Sequence, residues 1–436
     1  MNNVFGLRHE DKYLMERRIP LTPDHVKELI DSGFRVYVEK SPKRIFKDEE
    51  FEKTGAALTD DLSKCPVIIG VKEIPIHHFE EDKTYVFFSH VIKGQPYNMP
   101  MLKRMMELKC NLIDYEKITS DDGRRLIFFG YFAGLAGMIN SLWSLGQRWN
   151  EFGIHSAFSR LKQAYQYNSL ADAEKVISEV GEDIAENGLP KGTAPMVIGF
   201  TGYGNVSQGA QHIAGLLPVK EIKPDELAEL HTHPKVPNNL VYKVVFREED
   251  MFEPVEPGKP FELQEYYQHP ERFKSKFEQY IPHLTILVNC MYWDARYPRI
   301  VTKDYISQLF SKGNPKLTVI GDITCDPDGS VEITHKGTEI EDPVFVYNPA
   351  TGKPTMGFKG DGMLVMAVDI LPSELPREAS EHFGKVLMKY VKDIVEADYM
   401  NSGFIDLELP APVKRALILH RGKLTPDFEY IAQYLK

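Results

Sequence analysis

Met196-Val197-Ile198-Gly199-Phe200-Thr201-Gly202-Tyr203-Gly204-Asn205-Val206-Ser207 is the stretch that decides the fold. An apolar run of strand type passes directly into two glycines and then into a helical pattern over residues 206–216. A pyrophosphate group needs these parts in this order: a tight turn after a strand, backbone bare enough for close approach, and helix N–H groups aimed at the anion. Gly202, Gly204, Asn205 and Val206 are therefore the candidate dinucleotide-binding residues. Ser207 stands where a third glycine is usual and Gly209 follows two positions on, so the strict G-x-G-x-x-G pattern is not met. In such a unit the ribose reader sits at the end of the next strand, near Glu221–Asp225. Lys223 there suits a 2′-phosphate, whereas Glu221 or Asp225 suits a free 2′-hydroxyl.

The rhythm on either side agrees with that reading. Upstream, strand patterns at 4–7, 34–38, 67–71, 85–89 and 111–114 alternate with helical ones at 24–32, 48–54 and 99–108. Thr22 and Pro23 open the first of these helices and Gly33 stops it. A long helix over 131–152 carries small residues that let another backbone approach closely, and a polar helix follows over 171–187. Strands at 284–289 and 317–321 come next, then a strand-like run from Met363 and a helix near Ser373. Residues 231–282, rich in Pro, Glu, Tyr and Lys, break the rhythm and read as an insertion. The expected class is α/β, two Rossmann-like doubly wound domains with an active-site cleft between them.

Bulk properties narrow the function. A chain of 436 residues fits two domains. With 42% apolar and 26% charged residues it is globular rather than disordered. A net charge of −11 argues against nucleic acid as a partner. Cys65, Cys110, Cys290 and Cys325 are scattered and read as reduced thiols. Neither a basic-then-apolar leader nor a bilayer-length apolar run is visible, so the chain is expected to be cytoplasmic, with no membrane partner. His231-Thr232-His233 and His77-His78 lack further ligands, and Asp326-Pro327-Asp328-Gly329 lacks a closing Glu, so no metal is expected. Met101, Met105 and Met106 read as core.

Lys72 and His90 form a second constellation. Each follows the carboxyl end of a predicted parallel strand, the edge at which open α/β sheets bind ligands. Such a pair can exchange protons with a bound substrate. Taken singly they would pass for a surface lysine and a satisfied histidine; their matching positions at two strand ends favour chemistry. Arg17, Arg18, Lys93, Arg124 and Arg125 suit carboxylates, a solvated charged face being the plainer reading.

Several stretches resemble a known family. Glu16-Arg17-Arg18-Ile19-Pro20-Leu21-Thr22-Pro23 and Gly70-Val71-Lys72-Glu73-Ile74-Pro75 are similar to the alanine dehydrogenase and transhydrogenase-type fold and its saccharopine branch. More specific are Phe88-Ser89-His90-Val91-Ile92-Lys93-Gly94-Gln95, Asp114-Tyr115-Glu116-Lys117, Phe129-Gly130-Tyr131-Phe132-Ala133-Gly134-Leu135-Ala136-Gly137-Met138 and Asp369-Ile370-Leu371-Pro372-Ser373-Glu374-Leu375-Pro376-Arg377-Glu378. Together with the glycine turn they resemble the lysine–ketoglutarate reductase half of the α-aminoadipic semialdehyde synthases, from near residue 5 to the C-terminus.

The resemblance implies an NAD(P)-dependent oxidoreductase of lysine catabolism that condenses L-lysine with 2-oxoglutarate to saccharopine, using NADPH with NADH as the alternative cofactor. It implies Lys72 and His90 as the acid–base pair, either of them the principal member, with Glu73 and Glu116 tuning them. Arg18, Lys93 and Arg125 would bind substrate carboxylates, and Asp369 would lie near the cofactor. Residues 1–133 with 369–436 would form the substrate domain and 134–368 the dinucleotide domain. Bifunctional members continue into a further dehydrogenase, so a separate saccharopine dehydrogenase polypeptide is expected to take the next step; a homo-oligomer is compatible with the reading. The alternatives are an NAD-dependent, lysine-forming saccharopine dehydrogenase, an alanine dehydrogenase-like enzyme, and, in a different class, a non-catalytic regulatory module that binds a dinucleotide.

Overall fold

Short runs of Val, Ile, Leu and Phe become strands buried on both faces, and they collect into two eight-stranded sheets. The computed structural model describes residues 2–232 and 235–435, the side chain of His231 excepted. The chain divides into two units, Met1–Phe129 with Pro376–Lys436, and Gly130–Leu375.

The first sheet is built from β1 (Val4–Leu7), β2 (Arg35–Glu39), β3 (Ala57–Thr59), β4 (Val67–Ile69), β5 (Thr84–Phe87) and β6 (Asn111–Asp114). These are mutually parallel in the order β6-β5-β4-β1-β2-β3. Leu417–His420 from the tail then pairs antiparallel with β6, and Lys423–Leu424 closes that edge. A parallel sheet must hide both faces, and two cores do so. Phe5, Leu7, Val67, Ile69, Val86 and Ile113 pack in one, with Val26 and Leu29 of the helix Pro23–Asp31 and Phe383 of the helix Pro376–Leu387. Ile68, Tyr85, Phe87 and Leu112 pack in the other, with Met101, Leu102 and Met105 of the helix Met99–Glu107.

The second sheet contains β7 (Met196–Thr201), β8 (Val219–Glu221) and β9 (Val241–Phe246). A small antiparallel pair stands apart from it, β10 (Phe252–Pro254) with β11 (Phe273–Ser275). The sheet resumes with β12 (Ile286–Asn289), β13 (Val319–Asp322), β14 (Val344–Asn348), β15 (Lys353–Met356) and β16 (Met363–Met366). Its order is β15-β14-β16-β13-β12-β7-β9-β8, parallel except that β14 opposes both of its neighbours. Both sheets are thus mixed, where the sequence pattern predicts parallel ones. The antiparallel additions cap sheet edges and need no crossover helix, so they leave no periodic signal.

The expected insertion over 231–282 is corrected by the same topology. It contains β9, which pairs along its whole length with β7. The outgrowth begins only after Phe246, around β10, β11 and the packed rings of Phe252, Tyr266 and Phe273. Composition averaged over the segment hid the strand.

Two helices meet backbone to backbone in this unit. A Cβ on Gly134 of the helix Gly130–Glu151 would lie 1.9 Å from the Val206 carbonyl oxygen. One on Gly209 of the helix Asn205–Ala214 would lie 2.1 Å from the Tyr131 oxygen. The same long helix lies against the sheet, where a Cβ on Gly321 would stand 2.2 Å from Ser141 Oγ. Ser207 is buried and accepts from Gln211 Nε2 at 2.9 Å, so the close-packing task of a third glycine falls to Gly209. No helix among the described residues is long and apolar enough to cross a membrane. Replacing Gly209 by Val is expected to destabilise the unit by about 1–3 kcal/mol through overpacking. The check is a lowered urea midpoint; an unchanged midpoint would show that the two backbones separate without cost.

Candidate functional site

β4 and β5 are parallel neighbours, with Ile69 paired to Val86, so Lys72 and His90 leave the sheet at the same edge. The exit from β4 is held by Glu10, whose buried carboxyl oxygens accept the N–H groups of Val71 at 2.7 Å and Lys72 at 2.9 Å. Tyr115 Oη donates to the Gly70 carbonyl at 3.0 Å. Burial, with Glu16 nearby, pushes the Glu10 carboxyl up to about 7. The exit from β5 is held by Asp114, which accepts from the Ser89 N–H at 3.0 Å, from Ser89 Oγ, and from the Glu116 N–H at 2.8 Å.

With Ser89 pinned, His90 adopts the left-handed conformation, φ 55°, and its Nδ1 lies 2.7 Å from Glu73 Oε1. Lys12 Nζ reaches the same oxygen at 2.8 Å. Burial pushes the Glu73 carboxyl up, but His90 and Lys12 outweigh it and hold it down at about 2. Glu73 Oε2 is buried with no hydrogen-bond partner among the described residues.

Lys72 is half-buried, its ammonium 5.8 Å from the Tyr13 ring centroid. Arg18 lies buried over the Phe129 ring at 4.1 Å and grips Glu16 through Nε at 2.8 Å and Nη2 at 2.6 Å. Burial would raise the Glu16 carboxyl, yet Arg18, helped by Lys72, leaves it lowered. Arg125 pairs with Glu116 beside the exit of β6, whereas Arg124 turns to Asp122 at 2.7 Å with its side chain 82% exposed. Lys93 ends the exposed side of the turn Val91–Lys93.

Lys72, His90, Glu73 and Arg18 therefore share one neighbourhood, and Glu116, read as a tuner of the first two, is engaged by Arg125. Sequence reasoning missed Lys12, Glu10 and Glu16. They lie on the exit of β1, which pairs with β4, and that adjacency is the signal that could have found them.

In the second unit Gly202 takes φ +78°, a region glycine enters without strain, and its N–H donates to the Phe246 carbonyl at 2.9 Å. A Cβ on Gly204 would meet nothing within 4 Å. Open space thus lies beside the first turn of the helix Asn205–Ala214, with Asn205 exposed and Val206 half-buried. This bare turn and helix start fit a dinucleotide pyrophosphate. Beneath it Thr201 Oγ1 donates to Asn289 Oδ1 at 2.8 Å, and Asn289 Nδ2 donates to Asp322 Oδ1 at 2.8 Å. Thr334 Oγ1 donates to Asp322 Oδ2 at 2.6 Å, so the ends of β7, β12 and β13 are tied together. Asp369 is exposed just beyond β16, its N–H on the Thr338 oxygen at 3.1 Å.

Glu221 is not brought to the turn. It ends the edge strand β8, with β9 between it and β7, and ion-pairs with Lys243 at 2.7 Å. In register it stops three residues short of the level of Thr201, about 10 Å along the strands and about 10 Å across them. Among the described residues no three His, Cys, Asp or Glu side chains converge as a metal site. His233 and the side chain of His231 lie outside the described residues. Asp326–Gly329 is a turn, closed by the Gly329 N–H on the Asp326 oxygen at 3.0 Å.

Known proteins share this architecture. Residues 6–136 match the alanine dehydrogenase/PNT N-terminal domain family. A solved L-alanine dehydrogenase superposes with a TM-score of 0.62 at 16% identity, covering 99% of this chain and 100% of that one. The fold is thus that of the two-domain alanine dehydrogenases, a dinucleotide-binding class. The α-aminoadipic semialdehyde synthase of Arabidopsis thaliana is 40% identical over 100% of this chain and 42% of its own length. The NAD(+), L-lysine-forming saccharopine dehydrogenase of Yarrowia lipolytica is 30% identical over 90% of this chain and 92% of its own. The chain belongs to the saccharopine dehydrogenase family, and it spans less than half the length of the semialdehyde synthases it matches.

Glu10 makes a pH prediction with a definite sign. Below the ordinary value of 4.5 the folded and unfolded chains both hold its proton; between there and about 7 only the unfolded chain releases it. Its contribution to stability is therefore complete below 4.5 and lost as pH rises through 7. The unfolding free energy of the wild type minus that of Glu10→Gln should fall by a few kcal/mol over this window. A flat difference would mean that the carboxyl titrates normally.

Proposed function

We propose that this chain condenses L-lysine with 2-oxoglutarate reductively to saccharopine, with NADPH as the hydride donor. The observation that carries the reading is the Lys12–Glu73–His90 chain standing beside Lys72 on the carboxyl edge of one sheet. Family membership supports it.

The reaction joins lysine, 2-oxoglutarate, NADPH and a proton into saccharopine, NADP⁺ and water. The ε-amine adds to the ketone carbon as a free base, the nitrogen gives up a proton, and the former ketone oxygen gains protons and leaves as water. A nicotinamide dinucleotide bound at Gly202–Val206 would supply the hydride that reduces the imine carbon. Lys72 serves as the acid–base group for the reacting nitrogen, and His90 passes protons to the oxygen. With Nδ1 donating to Glu73, the Nε2 of His90 is the atom left to accept and return a proton. Glu73, ionised at any working pH, orients the ring through Nδ1. Arg18, Arg125 and Lys93 supply cations for the three carboxylates of the product, the two arginines sharing forks that already hold Glu16 and Glu116.

A second reading is the NAD-dependent, lysine-forming direction, favoured by the match over 92% of the Yarrowia lipolytica protein. Assays in both directions with both cofactors separate the two. NADPH oxidation is expected only when lysine and 2-oxoglutarate are both present; a preference for pyruvate and ammonia would defeat both readings. Lys72→Met and His90→Gln should each lower kcat by about 10²–10⁴-fold while dinucleotide binding persists. Full turnover in either variant would remove the role given to that residue.

A further inference from the structure

We infer that Arg247 reads the 2′-phosphate of the dinucleotide and so sets the preference for the phosphorylated cofactor. The inference rests on the reading of Gly202–Val206 as a dinucleotide turn.

The strand beside β7 is β9, not β8, which comes first in the sequence. Thr201 and Phe246, the last residues of β7 and β9, are paired in register, and the Gly202 N–H donates to the Phe246 oxygen. Arg247 therefore stands level with Gly202, at the end of the neighbouring strand, where this fold reads the adenosine ribose. An acidic residue at that place accepts the hydroxyls of an unphosphorylated ribose; here the place is held by a cation.

The local packing keeps that cation available. The Arg247 guanidinium lies 5.0 Å from the ring centroid of Tyr203, the residue between the two glycines. It is exposed and makes no ion pair among the described residues. Its backbone N–H is taken by Asp250 Oδ2 at 2.8 Å, which fixes the strand exit. The adjacent acid, Glu248, is engaged by two tyrosines rather than by Arg247: its Oε1 accepts from Tyr267 Oη of the outgrowth at 2.8 Å, and its side chain also hydrogen-bonds Tyr203. A ring shelf under a planar five-donor fork suits a phosphate monoester dianion.

Binding of 2′,5′-ADP and of 5′-AMP to the full chain, measured by calorimetry without substrates or turnover, tests this directly. The wild type should bind 2′,5′-ADP about 10–100-fold more tightly than 5′-AMP. Arg247→Ala should abolish that ratio while leaving 5′-AMP affinity in place, Arg247→Lys should retain part of it, and Glu221→Gln should leave it unchanged. Equal binding of both nucleotides by the wild type, or an intact ratio in Arg247→Ala, would overturn the inference and leave the dinucleotide turn standing. Binding of neither nucleotide by the wild type would overturn the turn itself. Loss of the ratio in Glu221→Gln alone would move the ribose to the edge strand.

Discussion

Backbone N–H groups that leave the carboxyl edge of a parallel sheet have no strand ahead to receive them, and burial makes an unmet donor costly. Here buried carboxylates receive them. Glu10 takes two N–H groups at the exit of β4, and Asp114 takes those of Ser89 and Glu116 beyond β5 and β6. Asp322 gathers Asn289 and Thr334 at the matching edge of the second sheet. Burial raises the carboxyls of all three. That cost holds the strand exits in one conformation, and the directions of Lys72, His90 and the glycine turn depend on it.

Around Lys72 and His90 acidic and basic side chains alternate. Glu73 lies between Lys12 and His90, Glu16 is gripped by Arg18 near Lys72, and Glu116 by Arg125. Lys12, Arg18 and Arg125 each hold one of these three carboxylates, and Lys72 stands beside them. Glu73, Glu16 and Glu116 are each paired with a cation, which offsets the cost of their burial. Glu73 aligns the His90 imidazole through Nδ1, the orientation that the proposed proton transfer at Nε2 uses.

The dinucleotide side shows how a motif can be broken in letter and kept in physics. A third glycine ordinarily lets the helix after the turn pack closely. Ser207 cannot do this, but Gly209 and Gly134 bring the helices Asn205–Ala214 and Gly130–Glu151 into backbone contact. The open space at Gly204 and the positive φ of Gly202 are preserved.

Periodicity and turn chemistry in the sequence determined the strand–turn–helix at Met196–Ala214, the α/β class, and the placement of Lys72 and His90 at strand ends. Each of these is local, a matter of which residues suit which backbone. The resemblance added Glu73, which lies one residue from Lys72 and is therefore legible with it. Strand order was not legible. Nothing local says that β9 rather than β8 lies beside β7, so Glu221 looked suited to the ribose and Arg247 passed unnoticed. Nor does anything local say that the exit of β1 borders that of β4, which is how Lys12 reaches Glu73. Hydrogen bonding between strands distant in the chain decides those neighbours, and with them which charges meet.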